Sequence, residues 1–179
     1  MQRKLVGLDL DGVVAKMNLG EYHKAKAQGI SILRKYYCEL QPNDELLYEL
    51  YKQRQLFRYK IFTARQDEVP DMQELTLNWC KFHKVFDYLS DNIGLTTVPI
   101  THTLHRWKAP ELIWHGASAM VDDNVYHLGL LPPWIKTIAY NPYYRGHTNI
   151  QTQQSRVDYI TNDPKDLLDN LVRLCYPIR

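Results

Sequence analysis

An apolar run that ends in two carboxylates, two residues apart, constrains this chain more than any other feature. The stretch is LVGLDLDGVV (5–14), with Asp9 and Asp11 ahead of Gly12. A buried strand that stops there presents both carboxylates at one edge of a sheet. Carboxylates held that close repel each other unless a cation or a shared proton intervenes. Mg2+ is the usual answer, a hard cation bound through a few carboxylates together with substrate phosphates. One carboxylate can then attack phosphorus while the other moves protons. A second reading stands beside this one, because Asp-Gly between two apolar runs is also a strong signal for a tight β-hairpin. A calcium-loop reading fails, since no later acidic positions and no closing Glu follow.

A chain of 179 residues is long enough to bury a real core, and it reads as one domain, 1–179. A net charge of +2 is too near balance to argue for nucleic acid or membrane from charge alone. No apolar run approaches the length of a membrane span. The start, MQRKLVGLDLDG, enters the first strand without the apolar stretch of a signal peptide. Cys38, Cys80 and Cys175 are odd in number and form no CxxC pair, as expected for reduced thiols in a cytoplasm.

Periodicity and turn chemistry divide the chain as follows. A strand is expected over 4–9. Residues 15–42 are mixed, with a short helix near 21–28 and a break at Gly29. A helix over 43–54 places Leu46, Leu47, Leu50 and Tyr51 on one face. Phe57 to Phe62 reads as a strand, and 68–83 as a helix with the apolar stripe Met72, Leu75, Trp79 and Phe82. Short strands are expected near 87–90 and 98–104, and a helix over 109–115, with Pro110 near its start. SAMV (118–121) is a buried strand that ends in Asp122-Asp123, followed by a short helix. Trp134 to Tyr140 and Arg156 to Ile160 are strands, and 164–174 a final helix. This alternation predicts a three-layer α/β, Rossmann-like fold, a mostly parallel sheet with helices on both faces.

In such sheets ligands bind beyond the carboxyl ends of the strands, at a topological switch point. Asp9 and Asp11 end the first strand, Thr63 ends the second in IFTARQ (61–66), and Asp122 and Asp123 end SAMV. Lys108 stands just before a helix. Each has an ordinary reading: a turn hydrogen bond for Thr63, a helix cap for Asp122 or Asp123, a solvated surface for Lys108. Together, at corresponding strand ends, they form an inventory for phosphate and magnesium.

With DLDGVV (9–14), Thr63, Lys108 and Asp122-Asp123 in this order, the chain resembles the haloacid dehalogenase-like (HAD) hydrolase superfamily. The resemblance spans nearly the whole chain. IFTARQ and the following helix look similar to the small 5'-nucleotidase-like branch. It implies that Asp9 is the nucleophile, forming an aspartyl-phosphate that water hydrolyses. Asp11 would protonate the leaving oxygen and then activate the water. Mg2+ would be held by Asp9, the main-chain carbonyl of Asp11 and Asp123, with Asp122 behind them. Thr63 and the backbone N–H of Ala64 would bind phosphate, and Lys108 would offset its charge. An acid at position 11 points to a phosphatase or phosphomutase, because a dehalogenase needs no leaving-group acid there.

Substrate choice in this family lies largely in inserted caps. The span from Asp11 to Thr63 leaves only about 15–42 for a small cap or flap, so the site is expected to be rather open. Tyr22, His23 and Lys24 in the insertion, and Arg65 after Thr63, are the candidate leaving-group contacts, and a tyrosine can stack on a base. Against that, Tyr22 can simply pack the insertion. His102 with His105 and the loop NPYYRGHTN (141–149) read better as structural and surface features than as ligands. The expected substrate is a small phosphate ester, a nucleotide among the candidates. The alternatives are a nucleic-acid end and a non-catalytic phosphate-binding module.

Overall fold

The strand that carries Asp9 lies at the centre of the sheet, and its two faces feed two separate cores. The computed structural model describes residues 2–63, 65, 69–89, 96–97, 108–140 and 157–177. Strand β1 (Lys4–Leu8) turns Val6 and Leu8 to one face and Leu5 to the other, the two-residue period of a strand buried on both sides. It pairs in parallel with β4 (Phe57–Thr63) and with β6 (Ala117–Asp122). A shift in register between Leu5 and Val6 accommodates one extra residue in β6. Strands β5 (Thr96–Thr97), β7 (Lys136–Tyr140) and β8 (Tyr159–Thr161) complete an all-parallel sheet in the order β5-β4-β1-β6-β7-β8.

The face of Val6, Leu8, Tyr59, Ile61 and Val121 is covered by α3 (Asp44–Lys52), α4 (Met72–Phe82) and the last helix, α8 (Pro164–Cys175). The face of Leu5, Phe62 and Met120 is covered by α6 (Lys108–Trp114) and α7 (Val125–Gly129). Asn43 caps α3 with its side-chain oxygen and donates to Val13 O and Tyr140 Oη, tying helix, turn and β7 together. Asp163 caps α8 and Pro164 opens it, the first-turn place that proline prefers.

Residues 15–42 hold more structure than expected. Strands β2 (Ala15–Lys16) and β3 (Gln41–Pro42) form an antiparallel ribbon that carries two helices, α1 (Leu19–Gln28) and α2 (Ile30–Glu39). Asn18 caps α1 by accepting from Gly20 N and Glu21 N. Gly29, at φ 107°, makes the break between the helices, as anticipated. The segment expected as a strand near 87–90 is instead a helical turn, α5 (Val85–Tyr88). Lys84 enters the left-handed region ahead of it (φ 53°), and Val85 drops into the core. The strand expected over 98–104 lies outside the described residues. Asp-Gly at 11–12 does not build a two-residue hairpin. Gly12 N donates to Ala15 O and Ala15 N to Leu10 O, so the chain makes a tight turn into the ribbon.

Candidate active site

The chain runs from β1 outward through β4 to β5, then returns to β6 on the other side of β1. The switch point therefore lies between β1 and β6, where a parallel sheet opens its crevice. Asp9 N donates to Val121 O at 2.8 Å, which extends the ladder by one residue and sets Asp9 level with Asp122. One carboxylate oxygen each from Asp9, Asp122 and Asp123 lies within 4.8 Å of the others. Lys108, the first residue of α6, reaches into this cluster from the second face. Its Nζ lies 3.0 Å from Asp9 Oδ1 and 2.5 Å from Asp122 Oδ2.

The three aspartates are not equivalent. Asp122 is fully buried and its oxygens are engaged. Oδ1 accepts from Asn124 N at 2.8 Å, and Oδ2 faces Lys108 and, at 3.6 Å, His127 Nδ1. Burial alone would raise its carboxyl, but Lys108 and His127 overcome this and hold it well below the usual carboxylate range. Burial lifts the Asp9 carboxyl to about 7 against the pull of Lys108, with Asp122 and Asp11 adding to the rise. Asp123 is likewise raised well above the ordinary value, by burial first and then by Asp122 and Asp9. Lys108 loses by burial but gains more from its two carboxylates, so it remains an ammonium.

Charged groups raised in this way are stabilised by an added cation. All the donors are hard oxygens, the set that suits a magnesium-sized ion. Gly12 holds the space open: its φ is 84°, and a Cβ there would sit 2.3 Å from Asp123 Oδ2. Asp122 has its oxygens taken already, by Asn124 N and Lys108 Nζ. The residues present therefore suit a divalent cation held by Asp9 and Asp123.

The remaining expected residues divide. Thr63 ends β4 two positions past the Ile61–Leu8 pair and is buried, with Oγ1 accepting from Arg65 N at 3.3 Å. Ala64 lies outside the described residues, as do His102, His105 and 141–149. Tyr22 is half-buried against the rings of His23, Tyr36 and Tyr37, so it packs the insertion. Arg65, expected at the leaving group, is 3% exposed and is engaged by Asp11. Its Nε and Nη2 donate to the Asp11 carboxylate at 2.8–3.1 Å. His127 and Asn124 were not anticipated. The pattern DDNVYH, a short helix starting just after the acids, was the signal that places both against Asp122.

Solved structures share this architecture over almost their full length. A haloacid dehalogenase-like hydrolase from Streptococcus pneumoniae matches with a TM-score of 0.64 at 12% identity, covering 94% of this chain and 98% of its own. A 2-haloacid dehalogenase from Pseudomonas syringae pv. Tomato matches at 0.55 and 10% identity, covering 96% and 99%. A phosphoserine phosphatase, captured as a phospho-aspartyl intermediate analogue, matches at 0.55 and 9% identity, covering 95% and 99%. The sequence itself matches no protein-family model and no curated protein. The fold is that of the haloacid dehalogenase-like hydrolases. These neighbours include a dehalogenase and a phosphatase, so the choice of reaction rests on the residues.

Proposed function

We propose that this protein is a magnesium-dependent phosphatase that hydrolyses phosphate monoesters through an aspartyl-phosphate on Asp9, with nucleotides as its first candidate substrates. One observation carries the reading. Asp9 sits in a cation-demanding cluster with Lys108 and Asp123, and a second carboxylate, Asp11, stands two residues away, outside that cluster and oriented by Arg65. A carboxylate nucleophile alone would serve a dehalogenase. The added acid serves an ester, whose alkoxide leaving group needs a proton.

Asp9 Oδ attacks phosphorus as the ester P–O bond breaks, and Asp11 gives its proton to the departing oxygen. Water then attacks phosphorus while Asp11 takes a proton from it. The P–O bond to Asp9 breaks, releasing phosphate and restoring the carboxylate. Lys108 fixes Asp9 by a charge-assisted hydrogen bond and offsets charge building on the phosphoryl oxygens. Thr63 and the Ala64 backbone are assigned to phosphate binding. Asp9, Asp123 and the Asp11 carbonyl would hold magnesium, which when bound neutralises charge on Asp9 and the phosphate.

A second substrate class has its own support. The insertion 15–42 exposes Lys16, Lys24, Lys26, Arg34 and Lys35 against only two acids, Glu21 and Glu39. An excess of three positive charges on the insertion supports a polyanion such as a phosphorylated nucleic-acid end as this second reading. Assays with nucleoside monophosphates, sugar phosphates, phosphopeptides and phosphorylated oligonucleotides, with and without Mg2+, separate these readings. At least one ester should be cleaved only with Mg2+, and Asp9→Asn should abolish that turnover. Full activity in Asp9→Asn protein would sink the assignment.

A further inference from the structure

We propose that Arg65 is a positioning residue for the proton-transfer carboxylate Asp11, and that the inserted helices govern it through Tyr37. This deepens the phosphatase reading and rests on it. Arg65 is enclosed on all sides by groups from three parts of the fold. Its Nε donates to both Asp11 oxygens, at 3.1 and 3.0 Å, and Nη2 to Oδ1 at 2.8 Å. Nη1 donates to Thr76 Oγ1 of α4 at 3.3 Å. The ring of Tyr37, from α2, lies 4.8 Å from Cζ, and that of Trp79, from α4, lies 5.7 Å from it. Trp79 in turn donates from Nε1 to Leu40 O at the end of α2, at 2.9 Å.

A planar fork that meets a carboxylate at two nitrogens fixes the plane of that carboxylate as well as its distance. A single ammonium cannot do this. Tyr37 and Leu33 are the buried residues of α2, so the insertion seats itself on the same guanidinium that holds Asp11. The chain of contact runs from insertion to Tyr37, to Arg65, to Asp11. Its Nε and Nη2 are engaged by Asp11 and its Nη1 by Thr76, so the effect of Arg65 on catalysis passes through Asp11.

The test uses leaving groups of different basicity. A p-nitrophenolate departs without a proton, whereas an alkoxide does not. Arg65→Lys keeps the charge and loses the fork. It should lower kcat/KM for an alkyl phosphate about 100-fold, and for p-nitrophenyl phosphate less than about tenfold. Asp11→Asn should show the same split, and the double variant should be no worse than Asp11→Asn. Tyr37→Leu should move the ratio in the same direction by a smaller factor, and Tyr37→Phe should leave it at the wild-type value. Equal losses on both esters would mean that Arg65 is only a structural ion pair and would overturn the proposal. If Arg65→Lys does not fold by circular dichroism, Thr76→Val and Tyr37→Leu carry the comparison under the same criterion. If the wild type cleaves neither ester with Mg2+, the phosphatase reading fails first and the positioning role falls with it.

Discussion

Replacing Lys108 by Met tests the charge balance at the switch point. The Lys108 side chain is 5% exposed and that of Asp122 is 0% exposed. Met keeps most of the buried stem but removes the ammonium that lies 3.0 Å from Asp9 and 2.5 Å from Asp122. Three carboxylates then remain in one cluster with that cation gone. Removing one partner of a buried ion pair costs about 3–5 kcal/mol, because the other charge stays buried. Total stability is about 5–15 kcal/mol for a domain. At this chain length each kcal/mol moves Tm by about 2–4 °C, so the melting point should fall by about 6–20 °C. Urea unfolding in the presence of EDTA measures the loss directly. A cycle with Asp122→Asn isolates the pair, and the double variant should lose less than the two singles together, by about 1–3 kcal/mol. Added Mg2+ should narrow the gap between wild type and Lys108→Met, since the variant, with one cation fewer among the carboxylates, should bind Mg2+ more tightly, and each tenfold difference in Kd is worth about 1.4 kcal/mol. A loss below about 1 kcal/mol, or an additive cycle, would show that Lys108 does not balance these carboxylates.

Two further outcomes are expected. Gly12→Ala forces a side chain into the left-handed region at φ 84° and against Asp123 Oδ2. The backbone alone should cost about 1–2 kcal/mol, and isothermal titration should show weaker Mg2+ binding. Unchanged Mg2+ affinity would disprove the place given to Asp123. The second concerns pH. Asp9 is raised from 3.8 to about 7, so between those values the metal-free folded protein binds a proton that the unfolded chain has released. This contribution is present below the unfolded value and is lost as pH rises through 7. It amounts to at most about 4 kcal/mol. Asp123 acts in the same direction, whereas Asp122, held low, loses its contribution only on acidification. Thermal melts with EDTA should therefore decline from pH 5 to 8, and Mg2+ should flatten the decline. A metal-free Tm that rises throughout that range would contradict the burial of Asp9.

The strand ends were legible because each is marked by a change in chemistry along the chain itself. LVGL stops at Asp9, KIF at Thr63 and SAMV at Asp122, and the sheet order then places β1 between the other two. Helix α2 was not legible. Its sequence, ISILRKYYCE, is rich in β-branched and aromatic residues, and it buries only Leu33 and Tyr37, too few for a helical stripe. The turn at Val85–Tyr88 carries strand-like residues, and tertiary packing of Val85 overrides that preference. Arg65 shows the other limit. Its position after Thr63 suggested a surface role at the leaving group, but its partners come from the first turn, the insertion and α4. No periodicity links residues that far apart, so its pairing with Asp11 is visible only in three dimensions.

That pairing also explains why the cluster calls for a divalent ion. Four aspartates stand at the switch point, and among the described residues two cations lie against them. Arg65 is matched to Asp11, and Lys108 bridges Asp122 and Asp9. Asp122, held low, is the carboxylate that Lys108 satisfies most fully. Asp9 and Asp123 are the two that burial and mutual repulsion push upward. One divalent cation would bring four carboxylates and two chain cations to neutrality, or to a net charge of +1 once Asp11 carries the proton that it gives to the leaving oxygen. A phosphate dianion entering that state would meet a single net positive charge. Hydrogen-bond donors at the ends of β4 and β1 and charge beyond the site would add to that attraction. The insertion carries exposed Lys16, Lys24, Lys26, Arg34 and Lys35. A substrate with more than one phosphate gains more from such a surface than a small ester does, and the same insertion holds the fork on Asp11 through Tyr37.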